Sequence, residues 1–241
     1  MHPSQIPPLL QSLLLTLYCP SCNNTLISTE DAWFGVCEDC RNDLIIDKDP
    51  RCELCGRPLI SEIKLCLQCR DGEARKMRHF DRLIVLFPYT GKYRKLLMAF
   101  KFGKRSCIGN FLTEKLLEGL ALFPEGLLKT PVLIPVPPRP GKIKQTGFDQ
   151  IECLAQKLEK IKSINIERCL KRLPSKSQKE LDGKERRTNL LNRIKCFKQP
   201  PKESILFDDV ITTGSTMDAC AAALKEAGAE HVFGVCLFYD I

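Results

Sequence analysis

The amino-acid sequence predicts an α/β protein in which a parallel sheet carries helices on both faces, with a small Cys-rich double zinc-ribbon module on its N-terminal side. After residue 81, apolar segments of strand length alternate with segments of helical periodicity. Before residue 81, eight cysteines form four Cys-x-x-Cys pairs. Alternating strands and helices favour a parallel sheet, whose ligands bind at the carboxyl ends of the strands. We therefore expect the functional loops to meet at one edge of the sheet.

The predicted elements follow one another closely up to residue 169, and a basic stretch from Lys171 to Lys198 precedes the strand that begins at residue 204. Strands are expected at residues 82–87, 132–136, 164–169 and 232–238. A further strand is expected from residue 204 to the adjacent carboxylates Asp208 and Asp209. Helices are expected at residues 91–103, 108–120, from the segment 146–150 to about 160, and at 217–227. The unbroken apolar character of the first strand is typical of a sheet that is buried on both faces.

Length and composition indicate a globular protein with an accessory module. The 241 residues are enough for one ordinary domain and a small extra unit, and 44% hydrophobic with 27% charged residues is a globular composition. The apolar cluster at residues 9–18 is too short to span a bilayer, and only His2 precedes it as a basic residue. We expect a cytoplasmic location, including peripheral contact with the inner face of the membrane.

Three segments are expected along the chain: a leader at 1–18, a double zinc-ribbon module at 19–75, and the α/β domain at 76–241. The leucines of the leader share one face of a short helix. Because no Lys or Arg flanks this stripe, docking on the adjacent module is favoured over contact with a membrane surface.

The cysteine spacing predicts two structural zinc sites. A two-residue gap lets two thiolates from one tight turn bind the same tetrahedral Zn²⁺, and a second such turn completes the ligand shell. The simplest assignment joins neighbouring pairs, although crossed pairing and redox-active dithiols are alternatives. The expected ligands are Cys19, Cys22, Cys37, Cys40, Cys52, Cys55, Cys66 and Cys69.

Charge is unevenly distributed along the chain. The formal net charge is +8, but residues 1–80 carry 9 basic and 11 acidic side chains, whereas residues 139–202 carry 18 basic and 7 acidic ones. A basic face of this kind suits a polyphosphate or a nucleic acid. The alternative is a set of solvated helix faces.

The most informative motif stands between the strand at residue 204 and the following helix. It reads Asp208-Asp209-Val210-Ile211-Thr212-Thr213-Gly214-Ser215-Thr216. Hydroxyl side chains and the free N–H groups of a helix start can hold a phosphate, while the two carboxylates can hold sugar hydroxyls directly or through Mg²⁺. The motif lacks the Gly-Lys-Ser/Thr of a Walker loop. It predicts a site for a ribose 5-phosphate.

This order of residues resembles the phosphoribosyl-pyrophosphate (PRPP) signature of type I phosphoribosyltransferases, and the whole chain resembles the ComF family. The resemblance runs from Cys19 to Leu237. The further segments that carry it are Cys52-Glu53-Leu54-Cys55-Gly56-Arg57-Pro58, Lys101-Phe102-Gly103-Lys104, Ile134-Pro135-Val136-Pro137, Gly147-Phe148-x-Gln150, and Gln178-x-x-Leu181-x-x-x-x-Arg186-x-x-Asn189.

The resemblance implies a type I phosphoribosyltransferase-like domain fused to a double zinc ribbon, with a role in handling single-stranded DNA during natural transformation. It also implies that the loop after Val136 faces pyrophosphate and that residues 178–189 form a mobile loop over the site. In such a fold the chemistry depends on positioning and positive charge. The cations available for this are Lys101, Arg139, Lys179, Arg186 and Arg187.

Three functions follow from these observations. The favoured one is a protein that binds PRPP with Mg²⁺ and handles single-stranded DNA. The second is an active phosphoribosyltransferase with an unidentified acceptor. The third is a zinc-stabilised adaptor whose partner is a helicase or a DNA-uptake channel.

Overall fold

A computed structural model describes residues 17–46, 50–59, 64–71, 78–123, 132–161, 163–174 and 193–240. The leader at 1–16 and the segment 175–192 lie outside these ranges. The helices are α1 (Thr29–Phe34), α2 (Glu38–Asp43), α3 (Leu67–Arg70), α4 (Gly91–Lys101), α5 (Ile108–Leu120), α6 (Lys142–Thr146), α7 (Gln150–Leu158) and α8 (Ser215–Glu226). The strands are β1 (Arg82–Pro88), β2 (Val132–Pro135), β3 (Asn165–Ile166), β4 (Leu170–Arg172), β5 (Ile194–Cys196), β6 (Glu203–Ile211) and β7 (His231–Tyr239).

A five-stranded sheet in the order β1-β7-β6-β2-β3 forms the centre of the molecule. All four strand pairs are parallel, which confirms the predicted sheet. The central strands β6 and β7 are also the longest, with nine residues each. The carboxyl end of β6, where the two carboxylates stand, therefore lies in the middle of the sheet edge.

The strand predicted at 164–169 is wrong in its extent. Only Asn165–Ile166 pair with the sheet, and the chain then turns into β4, which pairs antiparallel with β5. The last contact with the sheet is the Glu167 N–H, which donates to the Leu133 carbonyl oxygen at 2.9 Å. The next residue, Arg168, forms ion pairs with Glu152 of α7 at 2.9 Å and with Glu159 at the end of that helix at 2.5 Å.

Two hydrophobic layers cover the sheet. On one face, helices α4, α5 and α7 pack on side chains such as Ile84 and Leu86. On the other face, α8 and the β4–β5 hairpin pack on Leu83 and Val85. Neighbouring residues of β1 thus enter different layers, as the two-residue period of a strand requires. Among the described helices, none is long and apolar enough to cross a membrane.

The predicted helix 108–120 is confirmed at both ends as α5. Helix α7 begins at Gln150, the last residue of the segment predicted to open it. Its start is fixed by the Asp149 carboxylate, which accepts hydrogen bonds from the backbone N–H groups of Ile151 and Glu152 at 3.0 and 3.3 Å. This is the N-cap arrangement that satisfies otherwise unpaired donors.

The first zinc ribbon shares its hydrophobic core with the α/β domain. Val36 and Leu44 are fully buried in the same cluster as Ile108 and Phe111 of α5. At the end of α1, Gly35 adopts φ +65°, and a Cβ there would stand 2.6 Å from the sulfur of Cys107. The ribbon therefore sits directly on the start of α5.

The second zinc ribbon packs on the first strand of the sheet through a glycine. Gly56 has φ +70°, and a Cβ at this position would lie 2.9 Å from the carbonyl oxygen of Leu83 and 2.8 Å from a methyl group of Val85. Only a residue without a side chain permits this approach in this conformation. Gly56 thus fixes the distance between the ribbon and β1.

We expect Gly56→Ala to lower the free energy of unfolding by about 2–4 kcal/mol, from the left-handed backbone and the steric overlap with β1 together. Gly141→Ala is the matched control, because Gly141 has φ +82° but open space around it. The control should cost only about 1 kcal/mol. Urea unfolding of both variants measures the difference, and equal losses would show that the contact with β1 contributes nothing.

Candidate phosphate site and metal centres

Two groups of four cysteines come together in the N-terminal module. Cys19, Cys22, Cys37 and Cys40 form one group, and Cys52, Cys55, Cys66 and Cys69 form the other. All sulfurs within a group lie within 4.8 Å of one another. Joining neighbouring pairs is therefore confirmed, and the crossed assignment is wrong.

The sulfur positions fit tetrahedral zinc. The sulfurs of Cys22 and Cys37 are 3.5 Å apart, and those of Cys55 and Cys66 are 3.7 Å apart. Four zinc–sulfur bonds of about 2.3 Å place neighbouring sulfurs about 3.8 Å apart. With only cysteines as ligands, both shells are closed, which is the chemistry of structural rather than catalytic zinc.

The two carboxylates of the signature point to opposite faces of the sheet. Phe207 and Leu206 belong to different hydrophobic layers, and the alternation continues into Asp208 and Asp209. Asp208 is half-buried and lines a small pocket with the signature loop. Asp209 is only 7% exposed and meets Lys101 at the end of α4, with 2.8 Å between Nζ and Oδ2.

The contact between Lys101 and Asp209 is an ion pair whose angles do not suit a hydrogen bond, since Oδ2 has no aligned donor. The side chain of Lys101 is 20% exposed, so the pair is largely removed from water. Sequence reasoning chose both residues for the site, one as a cation and one as an acid. The structure brings them together as partners.

The signature loop forms a concave surface at the start of α8. Gly214 adopts φ 78°, which turns the chain into the helix. The hydroxyl oxygens of Thr213 and Ser215 are 2.8 Å apart, and the Ser215 N–H donates to the Thr213 hydroxyl at 3.3 Å. The pocket of about 50 Å³ is lined by Asp208 and residues 210–217. The four hydroxyl residues Thr212, Thr213, Ser215 and Thr216 therefore line the same small volume.

Basic side chains from three segments gather around Arg172, which lies close to Asp208. Arg139 follows β2, Arg172 ends β4, and Arg193 precedes β5. Burial lowers the pKa of Arg172, and the charges of Arg139 and Arg193 lower it further, while the Asp208 carboxylate opposes this effect. Sequence reasoning selected Arg139 and missed the two arginines of the hairpin. Three other predicted cations, Lys179, Arg186 and Arg187, lie outside the described residues.

A second pair of arginines approaches the signature loop from the opposite direction. Arg57 and Arg78 line a small pocket together with Thr212, Thr213 and Gly214. Burial acts to lower the pKa of Arg57, but the Tyr239 side chain beside it outweighs burial and raises this pKa. The sequence placed Arg57 inside a zinc-knuckle motif, which gave no indication that it reaches the signature loop.

The neighbour of Arg78, His79, contacts a residue that is distant in sequence. The backbone N–H of His79 donates to the buried carboxylate of Asp218 at 2.7 Å, and the imidazole Nδ1 lies 3.4 Å from the same oxygen. Asp218 stands in the first turn of α8. His79 therefore ties the segment before β1 to the helix that opens at the signature.

The fold and the sites define a class of protein. A double zinc-ribbon domain matches residues 10–70. With a parallel α/β sheet that carries the signature loop at its edge, the architecture is consistent with a type I phosphoribosyltransferase-like fold joined to a double zinc ribbon.

Similar proteins place the chain more closely. Competence protein F of Haemophilus influenzae strain Rd is 28% identical over 206 residues, which is 82% of this chain and 87% of that protein. Competence protein ComFC of Bacillus subtilis 168 is 29% identical over 205 residues, 80% of this chain and 79% of that protein. DNA utilization protein YhgH of Escherichia coli K12 is 27% identical over 218 residues, which is 84% of this chain and 96% of that protein. The resemblance suggested by the motifs is confirmed as homology over most of the chain.

We expect the purified protein to carry two zinc ions, and Cys37→Ser to lose one of them. Because the first ribbon shares its core with α5, this loss should also lower the unfolding temperature of the whole chain. Elemental analysis measures the number of bound zinc ions, and thermal unfolding measures the change in unfolding temperature. Cys153→Ser is the control, since Cys153 lies in α7 outside both groups. A Cys37→Ser protein that keeps two zinc ions would contradict the assignment.

Lys101→Met should lower the free energy of unfolding by about 2–3 kcal/mol, because it leaves the buried Asp209 carboxylate without its cation. Asp209→Asn should cost a similar amount, and the double variant should cost less than the sum of the two. Urea unfolding of the four proteins gives the coupling energy. Additive costs would show that the pair is not coupled.

Proposed function

We propose that the chain binds PRPP with Mg²⁺ at the signature loop and handles single-stranded DNA during DNA uptake. The observation that carries the ligand half of this proposal is the pocket lined by Asp208 and the signature loop, at the carboxyl end of a central parallel strand. Ligands of open α/β sheets bind at this edge.

The residues of the pocket suit the parts of a phosphoribosyl group. Helix N–H groups and the hydroxyls of Thr212, Thr213, Ser215 and Thr216 would hold the 5-phosphate. Asp208 would hold ribose hydroxyls or Mg²⁺, because it lines the pocket. Asp209 would act through Lys101, whose ammonium it fixes on the other face of the sheet.

The arginines beside Asp208 support a polyphosphate ligand rather than a simple ribose phosphate. Arg139, Arg172 and Arg193 come from separate elements, yet they are close enough for the other two to lower the pKa of Arg172. Three like charges gathered beside the single carboxylate of Asp208 favour an anion between them.

These arginines also favour a second candidate function, transfer of the phosphoribosyl group. In that reaction the bond from ribose C1 to the pyrophosphate oxygen breaks, the electron pair leaves with pyrophosphate, and a bond forms from C1 to a nucleophilic acceptor. Positive charge beside the leaving group would stabilise this step. Release of pyrophosphate from PRPP in the presence of a nucleobase or amine would distinguish transfer from binding alone.

The DNA half of the proposal rests on charge and on relatives. The segment 139–202 has a net charge of +11, and a salt-dependent interaction with a phosphate backbone follows from such an excess. Two of the relatives are called competence proteins and a third a DNA utilization protein. We infer a competence-related role for this chain as well.

Calorimetric titration of the zinc-loaded protein with PRPP should show binding that requires Mg²⁺. Asp208→Asn should weaken it by roughly 10- to 150-fold, the loss expected for charge-assisted contacts to a carboxylate. Asp240→Asn is the matched control, since Asp240 is exposed at the end of β7, the strand that neighbours β6. An affinity that is unchanged in Asp208→Asn, or absent in the parent protein, would refute a PRPP site at the signature.

A further inference from the structure

A groove of about 930 Å³ lies between the first zinc ribbon and helices α5 and α7; we call it the junction groove. The first ribbon lines one wall with residues 32–34. The turn 104–107 and helix α5 line a second wall, and the end of α7 lines a third. None of the signature residues 208–217 lines it. The junction groove is thus separate from the phosphate pocket.

The charge of the junction groove is mainly positive. Its cations are Lys104, Arg105, Lys157 and Lys160, and Glu114 is the acid among its lining residues. Within the described ranges, no ion pair engages any of these four cations. Elsewhere on the surface, cations such as Lys202 and Lys225 do pair with acids. The junction groove therefore keeps a positive charge that no ion pair among the described residues neutralises.

An exposed aromatic ring stands among these charges. Trp33 is the only tryptophan of the chain, and 56% of its surface is exposed. Tryptophan is enriched where proteins bind partners, because its large ring offers apolar area beside a polar N–H group.

Asn110 forms hydrogen bonds with both Trp33 and Lys157. Its amide nitrogen donates to the carbonyl oxygen of Trp33 at 2.7 Å, and its amide oxygen accepts from Lys157 Nζ at 2.6 Å. The stem of Lys157 lies across Gly109, where a Cβ would be 2.7 Å from the lysine Cε. The backbone of Trp33 and the ammonium group of Lys157 are therefore held on two sides of one asparagine.

The environment of Lys157 favours an anion. Burial lowers the pKa of this lysine, and the nearby charge of Lys160 lowers it further. A half-buried ammonium whose hydrogen-bond acceptor is a neutral amide would gain from a phosphate nearby, because the opposite charge offsets the cost of burial.

We propose that the junction groove binds single-stranded DNA, with a base stacked on Trp33 and backbone phosphates held by Lys104, Lys157 and Lys160. This inference rests on the DNA half of the proposed function and gives it a location. An aromatic ring between cations is the arrangement that binds single strands without sequence preference. Duplex DNA should bind more weakly, since its bases are stacked on one another and present no free face to the indole.

The test uses the full, zinc-loaded chain and an oligothymidylate. Because Trp33 is the only tryptophan, quenching of its fluorescence reports directly on the junction groove. In anisotropy with labelled DNA, Trp33→Ala should weaken binding by roughly 5- to 150-fold, whereas Trp33→Phe should keep most of it. Lys104→Gln/Lys160→Gln should reduce the slope of log K against log salt by about 1.4.

Lys195→Gln/Lys225→Gln is the matched control, because it removes the same charge on the opposite face of the sheet, beside α8. Equal losses in both double variants, or full binding by Trp33→Ala, would overturn the location while leaving DNA binding by the protein intact. A parent protein that binds no oligothymidylate at low salt would overturn the DNA half of the proposed function as well. PRPP titration of the same variants remains an independent readout of the phosphate pocket, which should be unchanged in Trp33→Ala.

Discussion

The alternation of side chains along β6 is the constraint on which the candidate phosphate site depends. This strand is buried on both faces, so its apolar residues alternate between two hydrophobic layers. Two adjacent carboxylates at its end must then face different surroundings. One reaches the signature pocket, and the other reaches Lys101 on the opposite face. A single strand thereby supplies an acid that lines the pocket and an acid that positions a cation.

The zinc ribbons are integral to this arrangement. The first ribbon lacks a separate core and contributes Val36 and Leu44 to the layer that contains α5. The second brings Arg57, two residues after the zinc ligand Cys55, to a small pocket that it shares with residues 212–214 of the signature loop. The module thus supplies part of the wall of that pocket and of the junction groove. We expect loss of metal to disturb both.

Regular elements and metal ligands were predictable because they depend on local pattern. The apolar runs of β1 and the periodicity of α5 locate these elements within a residue or two, and the Cys-x-x-Cys spacing gives the correct grouping. The signature loop was predictable because its residues are contiguous. Contacts between distant segments were not, since no local pattern records them. The pairing of His79 with Asp218, and the approach of Arg57 to the signature loop, join residues far apart in the chain.

The close approach of Gly56 to β1 has a consequence for what happens when the metal is lost. Strand β1 ends the order of the five-stranded sheet, so its outer edge presents backbone N–H and C=O groups that another chain could pair with. The second zinc knuckle lies against the backbone of this strand at Leu83 and Val85. We expect loss of the second metal ion to loosen this contact, so that the outer edge of β1 becomes more accessible for pairing with another chain.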